Sequence, residues 1–131
     1  MKERVKEWIE RGERDLAAAE LLFDRSEYFD VVLFHLHQAV EKFLKGFLIH
    51  SGWRLKKIHD LETLITEAID FDGAFEKYLD LARKLTAFYY QERYPPGPVS
   101  LYSKEETAQI LEETKELISK IRRGIEGPLS G

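Results

Sequence analysis

Hydrophobic positions recur every three or four residues through most of this chain, which is the pattern of amphipathic helices. The first run extends from about Lys2 to Phe23 and the second from about Tyr28 to His50, with a short polar break between them. Gly12 falls on the apolar side of the first run, where the lack of a side chain favours close packing. The pattern therefore predicts two long helices that meet closely.

Two shorter helical runs follow. Asp60 is a good N-cap for a third helix, and the polar break at residues 70–73 ends it. A fourth run places Phe75 and the apolar residues after it at helical spacing. This run must end near Arg93, because the prolines that follow it cannot continue a helix.

The last helix is marked by its start. Ser103 and Glu106 have the spacing of a capping box, and an apolar stripe follows them. We find no convincing strand and no repeat. The sequence therefore predicts an all-α, up-and-down bundle of four to five helices, forming one domain over residues 1–126 with a short flexible tail at 127–131.

The second helix carries a narrow polar stripe although most of its circumference is apolar. At about 100° per residue, the members of this stripe fall within roughly a third of the turn. Val31, Phe34 and Ile49 interrupt it, so we expect a face that is covered by a second subunit or by a ligand. The polar stripe consists of His35, Gln38, Glu41, Lys42 and Lys45.

Composition excludes several classes of function. The net charge is −4, so an anionic partner needs a local basic patch. The absence of cysteine excludes disulfides, thiolate metal sites and cysteine nucleophiles. His35 and His37 project to opposite sides of a helix and cannot share a metal ion, so we predict no metal and no cofactor. Without a secretion signal or a long apolar run, we expect a cytoplasmic protein that does not enter the membrane.

Three separated motifs resemble the HEPN domain family, whose name denotes a nucleotide-binding domain of higher eukaryotes and prokaryotes. They lie at residues 38–45 (QAVEKFLK), 59–61 (HDL) and 93–95 (RYP). Their order resembles the family over nearly the whole chain. The resemblance implies a helical bundle that usually dimerises. It also implies one of two roles: the substrate-binding partner of a minimal nucleotidyltransferase, or a metal-independent ribonuclease toxin.

The ribonuclease branch of the family has an arginine, four to six intervening residues and a histidine, placed in the late helices. Histidine moves protons near neutral pH, and arginine stabilises charge on the phosphate. Here the spacing occurs at Arg54 and His59, between the second and third helices, and no histidine follows Arg93. Chance placement gives about 0.8 such matches. We therefore assign no catalytic residue and keep ribonuclease activity as an alternative.

The residues near the three motifs fit a nucleotide site better. Lysine and arginine bind phosphate, a tyrosine ring can stack on a base, and the start of a helix attracts anions. The predicted nucleotide-binding residues are Gln38, Lys42, Lys45, His59, Arg93 and Tyr94, with Arg54, Lys56 and Lys57 as basic neighbours.

The main hypothesis is a homodimeric, non-catalytic partner of a separately encoded minimal nucleotidyltransferase, in a toxin–antitoxin-like system. The chain lacks the glycine–serine turn and paired carboxylates that transferase chemistry needs, so it would not be the catalyst. Structural explanations stay open: Lys42 and Lys45 as ion pairs on a solvated face, Asp60 as a cap, Tyr94 as a packing residue. A homodimeric interaction module without a ligand, using aromatic residues beside the prolines at 95–98, is the third hypothesis.

Overall fold

The second long helix lies at the centre of the bundle. The computed structural model describes residues 2–54, 56–93 and 102–127. Thirteen of the 22 residues of α2 are buried, and α2 packs against each of the other four helices. The all-α bundle is confirmed, since no strand occurs in the described ranges. The helices are α1 (Glu3–Arg25), α2 (Phe29–His50), α3 (Leu61–Phe71), α4 (Leu79–Arg93) and α5 (Lys104–Glu126).

The two long helices approach each other closely because a small residue on each meets a large one on the other. A Cβ atom added to Gly12 of α1 would lie 2.7 Å from Cδ2 of Phe43 on α2. In the same way, a Cβ atom on Gly46 of α2 would lie 2.8 Å from Cδ1 of Ile9 on α1. The close packing predicted at Gly12 is therefore confirmed, and Gly46 supplies its counterpart on α2.

Local capping fixes the starts of α3 and α5 as predicted. The Asp60 carboxylate accepts hydrogen bonds from the backbone N–H of Glu62 at 3.3 Å and from the Thr63 hydroxyl at 2.7 Å. The Ser103 hydroxyl accepts from the backbone N–H of Glu106, and the Glu106 carboxylate accepts from the backbone N–H of Ser103. Both arrangements satisfy N–H groups that a helix start leaves without partners.

The fourth predicted helix begins differently from the prediction. Residues Gly73–Tyr78 form a 3-10 helix, and the α-helix starts only at Leu79. Asp72 caps this segment, because its carboxylate accepts from the backbone N–H of Ala74 at 3.0 Å. Phe75 and Tyr78 are both buried. At three residues per turn they lie on one side, so their spacing fits a 3-10 helix as well as an α-helix.

One apolar core joins all of these elements. Its largest fully buried side chains come from α2, α3, the 3-10 helix, α4 and α5, and α1 adds Val5, Ile9 and Ala19. Within the part of the chain that the structure describes, no helix is both long enough and apolar enough to cross a bilayer.

We predict that the substitution Gly12→Val destabilises the fold. Phe43 is fully buried, so its ring cannot move aside for the new side chain. Overpacking of this kind costs about 1–3 kcal/mol, and the gain in helix propensity returns only about 0.4 kcal/mol. The free energy of unfolding, measured by urea denaturation, should fall by about 1–2 kcal/mol.

Gly73→Ala is the matched control, because nothing lies within 4 Å of an added Cβ atom at Gly73. Its free energy of unfolding should not fall. If Gly12→Val unfolds at the same urea concentration as the parent chain, the close contact between α1 and α2 is wrong.

Candidate functional site

Two members of the polar stripe are buried. The side chains of Glu41 and Lys45 are only 9% and 4% exposed. The Lys45 ammonium donates to Glu41 Oε2 at 3.0 Å and lies 5.2 Å from the ring centroid of Trp8 on α1. The cover over this part of the stripe is therefore α1 of the same chain. The expectation of a cover from outside the chain is wrong for these two residues.

The Glu41 carboxylate is also hydrogen-bonded to a histidine at the surface. The ring Nδ1 of His59 lies 2.8 Å from Glu41 Oε2, and the His59 side chain is 74% exposed. A carboxylate only accepts, so Nδ1 carries the hydrogen, and Nε2 is the nitrogen left to exchange a proton or to meet a ligand. We call Lys45, Glu41 and His59 the Glu41 network. It runs from the buried stripe to the connection between α2 and α3.

A second carboxylate, that of Asp15 on α1, contacts two further side chains of the stripe, Lys42 and His35. Asp15 of α1 accepts a hydrogen bond from the Lys42 ammonium and another from His35 Nδ1, which lies 3.0 Å from Asp15 Oδ1. Lys42 keeps a quarter of its side chain exposed. One alternative from the sequence was that Lys42 and Lys45 form ion pairs on a solvated face. Both lysines do form ion pairs, but Lys42 pairs with Asp15 of α1, and the pair between Lys45 and Glu41 is buried.

Gln38 is tied to a different part of the bundle. Its side-chain oxygen lies 3.3 Å from Nδ1 of His37, a residue that is 2% exposed. The His37 ring stacks on Tyr89 of α4, with centroids 4.3 Å apart and planes 15° apart. Phe34 stacks on Tyr89 as well, at 5.9 Å. Burial lowers the pKa of His37, although the Gln38 hydrogen bond and nearby Glu41 act in the opposite direction.

Sequence reasoning considered His37 only as a metal ligand and missed this stack. The available signal was its position among apolar residues of α2, next to Leu36 and within one turn of Leu33 and Val40. The described residues contain no group of three or more metal-ligating side chains that could hold a metal ion.

The structure describes the remaining predicted residues only in part. Arg93 is the last residue of α4, one turn beyond Tyr89, while the Arg93 side chain and Tyr94 fall outside the described part of the chain. Arg54, Lys56 and Lys57 are exposed on the connection that carries His59. Lys56 lies 3.7 Å from Glu67 of α3. Gln38, Lys42, Lys45 and His59 thus lie along α2 or against it.

The described residues form a small, all-helical bundle whose charged network involves the central helix. A model of the HEPN domain family matches residues 5–124. This match spans nearly the whole bundle, from the first turn of α1 to the last turns of α5. The chain belongs to the HEPN domain family.

Two solved structures share the fold. TT1696 from Thermus thermophilus aligns with a TM-score of 0.75 and 22% identity, over 94% of this chain and 99% of that protein. ST0689, an archaeal HEPN homologue, aligns with a TM-score of 0.74 and 25% identity, over 95% of this chain and 99% of its own. No curated protein matches this chain at a significant level.

We predict that Lys45→Met is strongly destabilising. It leaves the Glu41 carboxylate buried without its ammonium partner, and breaking a buried pair in this way costs about 3–5 kcal/mol. Replacing both residues, as in Glu41→Leu with Lys45→Met, removes the unpaired charge and should recover most of the loss. Urea denaturation of the parent chain and both variants measures the two effects.

Lys6→Met is the matched control, since Lys6 and Glu10 form an exposed pair at 4.0 Å. Exposed pairs contribute little, so its unfolding midpoint should not change measurably. A Lys45→Met chain that is as stable as this control would contradict the buried ion pair.

Proposed function

We propose that this chain binds a nucleotide, or a substrate that carries one, as the non-catalytic partner of a separately encoded minimal nucleotidyltransferase in a toxin–antitoxin-like system. One observation carries the proposal. His59 is exposed and anchored by Glu41, on a connection that also presents Arg54, Lys56 and Lys57 to solvent. Membership of the HEPN family supports the same class of ligand.

The charge of this connection differs from that of the whole protein. The chain has a net charge of −4, yet three exposed cations lie within residues 54–57. Phosphate oxygens would meet ammonium and guanidinium donors there, and arginine would add a two-pronged contact. Because Nδ1 of His59 is held by Glu41, its Nε2 can donate to a phosphate oxygen whenever the ring is protonated.

The predicted binding residues take different roles in this proposal. Lys42 is partly exposed and could exchange its bond to Asp15 for one to a phosphate. Lys45 is too deeply buried for that exchange, so it acts by holding Glu41 in place for His59. Gln38 is half-buried beside the His37 ring and remains a proposed contact to the ligand. Arg93 and Tyr94 remain proposed contacts.

We propose further that the chain acts as a homodimer. Large apolar side chains are exposed at the adjoining ends of α1 and α2, which is typical of an interaction surface. They are Leu21, Tyr28 and Val31. The mass of the chain in solution tests this part of the proposal.

Calorimetric titration of the chain with ATP and with GTP should detect binding at submillimolar to millimolar concentrations. His59→Ala removes one proposed contact to the phosphate and should weaken the affinity by about tenfold, which corresponds to about 1.4 kcal/mol. His50→Ala is the matched control, because His50 is exposed at the C-terminal end of α2. Its affinity should equal that of the parent chain. If titration gives no binding heat with ATP or with GTP, the third hypothesis, a homodimeric interaction module without a ligand, is the better explanation.

A specific observation also favours ribonuclease activity as the second candidate. Arg54 and His59 have the spacing of the ribonuclease branch, and both are exposed on one connection. A histidine that transfers a proton through one ring nitrogen is usually oriented by a carboxylate that is hydrogen-bonded to the other ring nitrogen. Glu41 provides that contact to His59.

If this second candidate is correct, purified chain should cleave structured RNA in the presence of a metal chelator. His59→Ala should abolish the cleavage, because it removes the proposed proton-transfer group, and His50→Ala should retain it. Gel separation of the RNA products measures both. RNA that stays intact with the parent chain removes this candidate and leaves nucleotide binding unaffected.

A further inference from the structure

A buried histidine lies at the contact between α2 and α4. His37 is 2% exposed, and its ring stacks almost parallel on Tyr89, with centroids 4.3 Å apart. Tyr89 lies one turn before the end of α4 at Arg93. The stack therefore fixes the last turns of α4 against the central helix.

The charged groups near His37 already form ion pairs or hydrogen bonds with other residues. Its Nδ1 lies 3.3 Å from the side-chain oxygen of Gln38, and the charges of Glu41, His59 and Asp60 act on the ring from nearby. Glu41 pairs with both Lys45 and His59, while Asp60 caps α3. From α4 the ring meets the aromatic face of Tyr89. Among the residues that the structure describes, a proton added to His37 would therefore create a buried cation with no carboxylate hydrogen-bonded to it.

We propose that His37 is a pH-responsive latch, in which protonation of its ring loosens the last turns of α4 from α2. The neutral ring is compatible with burial against Tyr89, and the imidazolium ring needs water that this contact excludes. The last turns of a helix open more readily than its middle, so the end of α4 is the part that moves. The latch does not depend on nucleotide binding.

The direction of the pH effect follows from the pKa of His37. Burial, the largest cause, lowers this pKa from its ordinary 6.5. Glu41 and Asp60 act against that shift, and His59 acts with it. An opened α4 therefore binds the proton more readily than the closed one. The latch is closed above pH 6.5 and opens as the pH falls toward the lowered pKa of the closed form.

Hydrogen exchange of the α4 amides tests the latch on the intact chain. After correction for intrinsic exchange rates, protection at Thr86–Tyr89 should fall between about pH 7.5 and about pH 5.5 by up to tenfold per pH unit. Protection in α1 should not fall with it. His37→Phe keeps an aromatic ring on Tyr89 without a titrating group, so the selective loss should disappear. His50→Gln, which removes an exposed histidine, should retain the loss.

Two results would overturn the proposal. One is an equal loss of protection in His37→Phe, and the other is a loss spread evenly over all helices. If His37→Phe does not fold, an NMR pH titration of the parent chain tests the proposal instead. The His37 ring proton and the Tyr89 ring protons should shift together as the pH falls below 6.5. Tyr89 signals that stay constant while His37 titrates would contradict the latch.

Discussion

The close approach of α1 to α2 is the constraint on which the rest of the structure depends. Gly12 and Gly46 each lack a side chain where the other helix places a large one. This contact brings Trp8 and Asp15 of α1 over a polar stripe that would otherwise face solvent. The charged side chains of the stripe must therefore find ion-pair and hydrogen-bond partners within the bundle. These pairings determine the arrangement of the candidate site.

Burial of a charge is tolerated only when the charge is paired and hydrogen-bonded. Glu41 meets that condition by accepting from Lys45 inside the bundle and from His59 at its surface. One carboxylate thus connects the core to the exposed connection between α2 and α3. As a result, the proposed ligand-binding side chain at the surface is positioned by packing between α1 and α2. The geometry of the site and the stability of the fold therefore both depend on Glu41.

Local features of the sequence predicted most of the fold, because they depend on neighbouring residues. The cap at Asp60, the capping box at Ser103 and the glycine at position 12 were all readable in this way. The start of the fourth helix was not, since Phe75 and Tyr78 are three residues apart and fit two helical periods. The burial of Lys45 and the stack of His37 on Tyr89 depend on how separate helices cross. No local spacing in the sequence determines those crossings.

The central claim is that the Lys45 ammonium is buried in an ion pair with Glu41 and organises the site. NMR detection of the lysine ammonium groups at neutral pH tests it most directly, because hydrogen exchange with water is slow only for a protected ammonium. We predict a resolved Lys45 signal that exchanges far more slowly than that of exposed Lys6, and that speeds up in Glu41→Gln. A Lys45 ammonium that exchanges as fast as that of Lys6 would contradict the account.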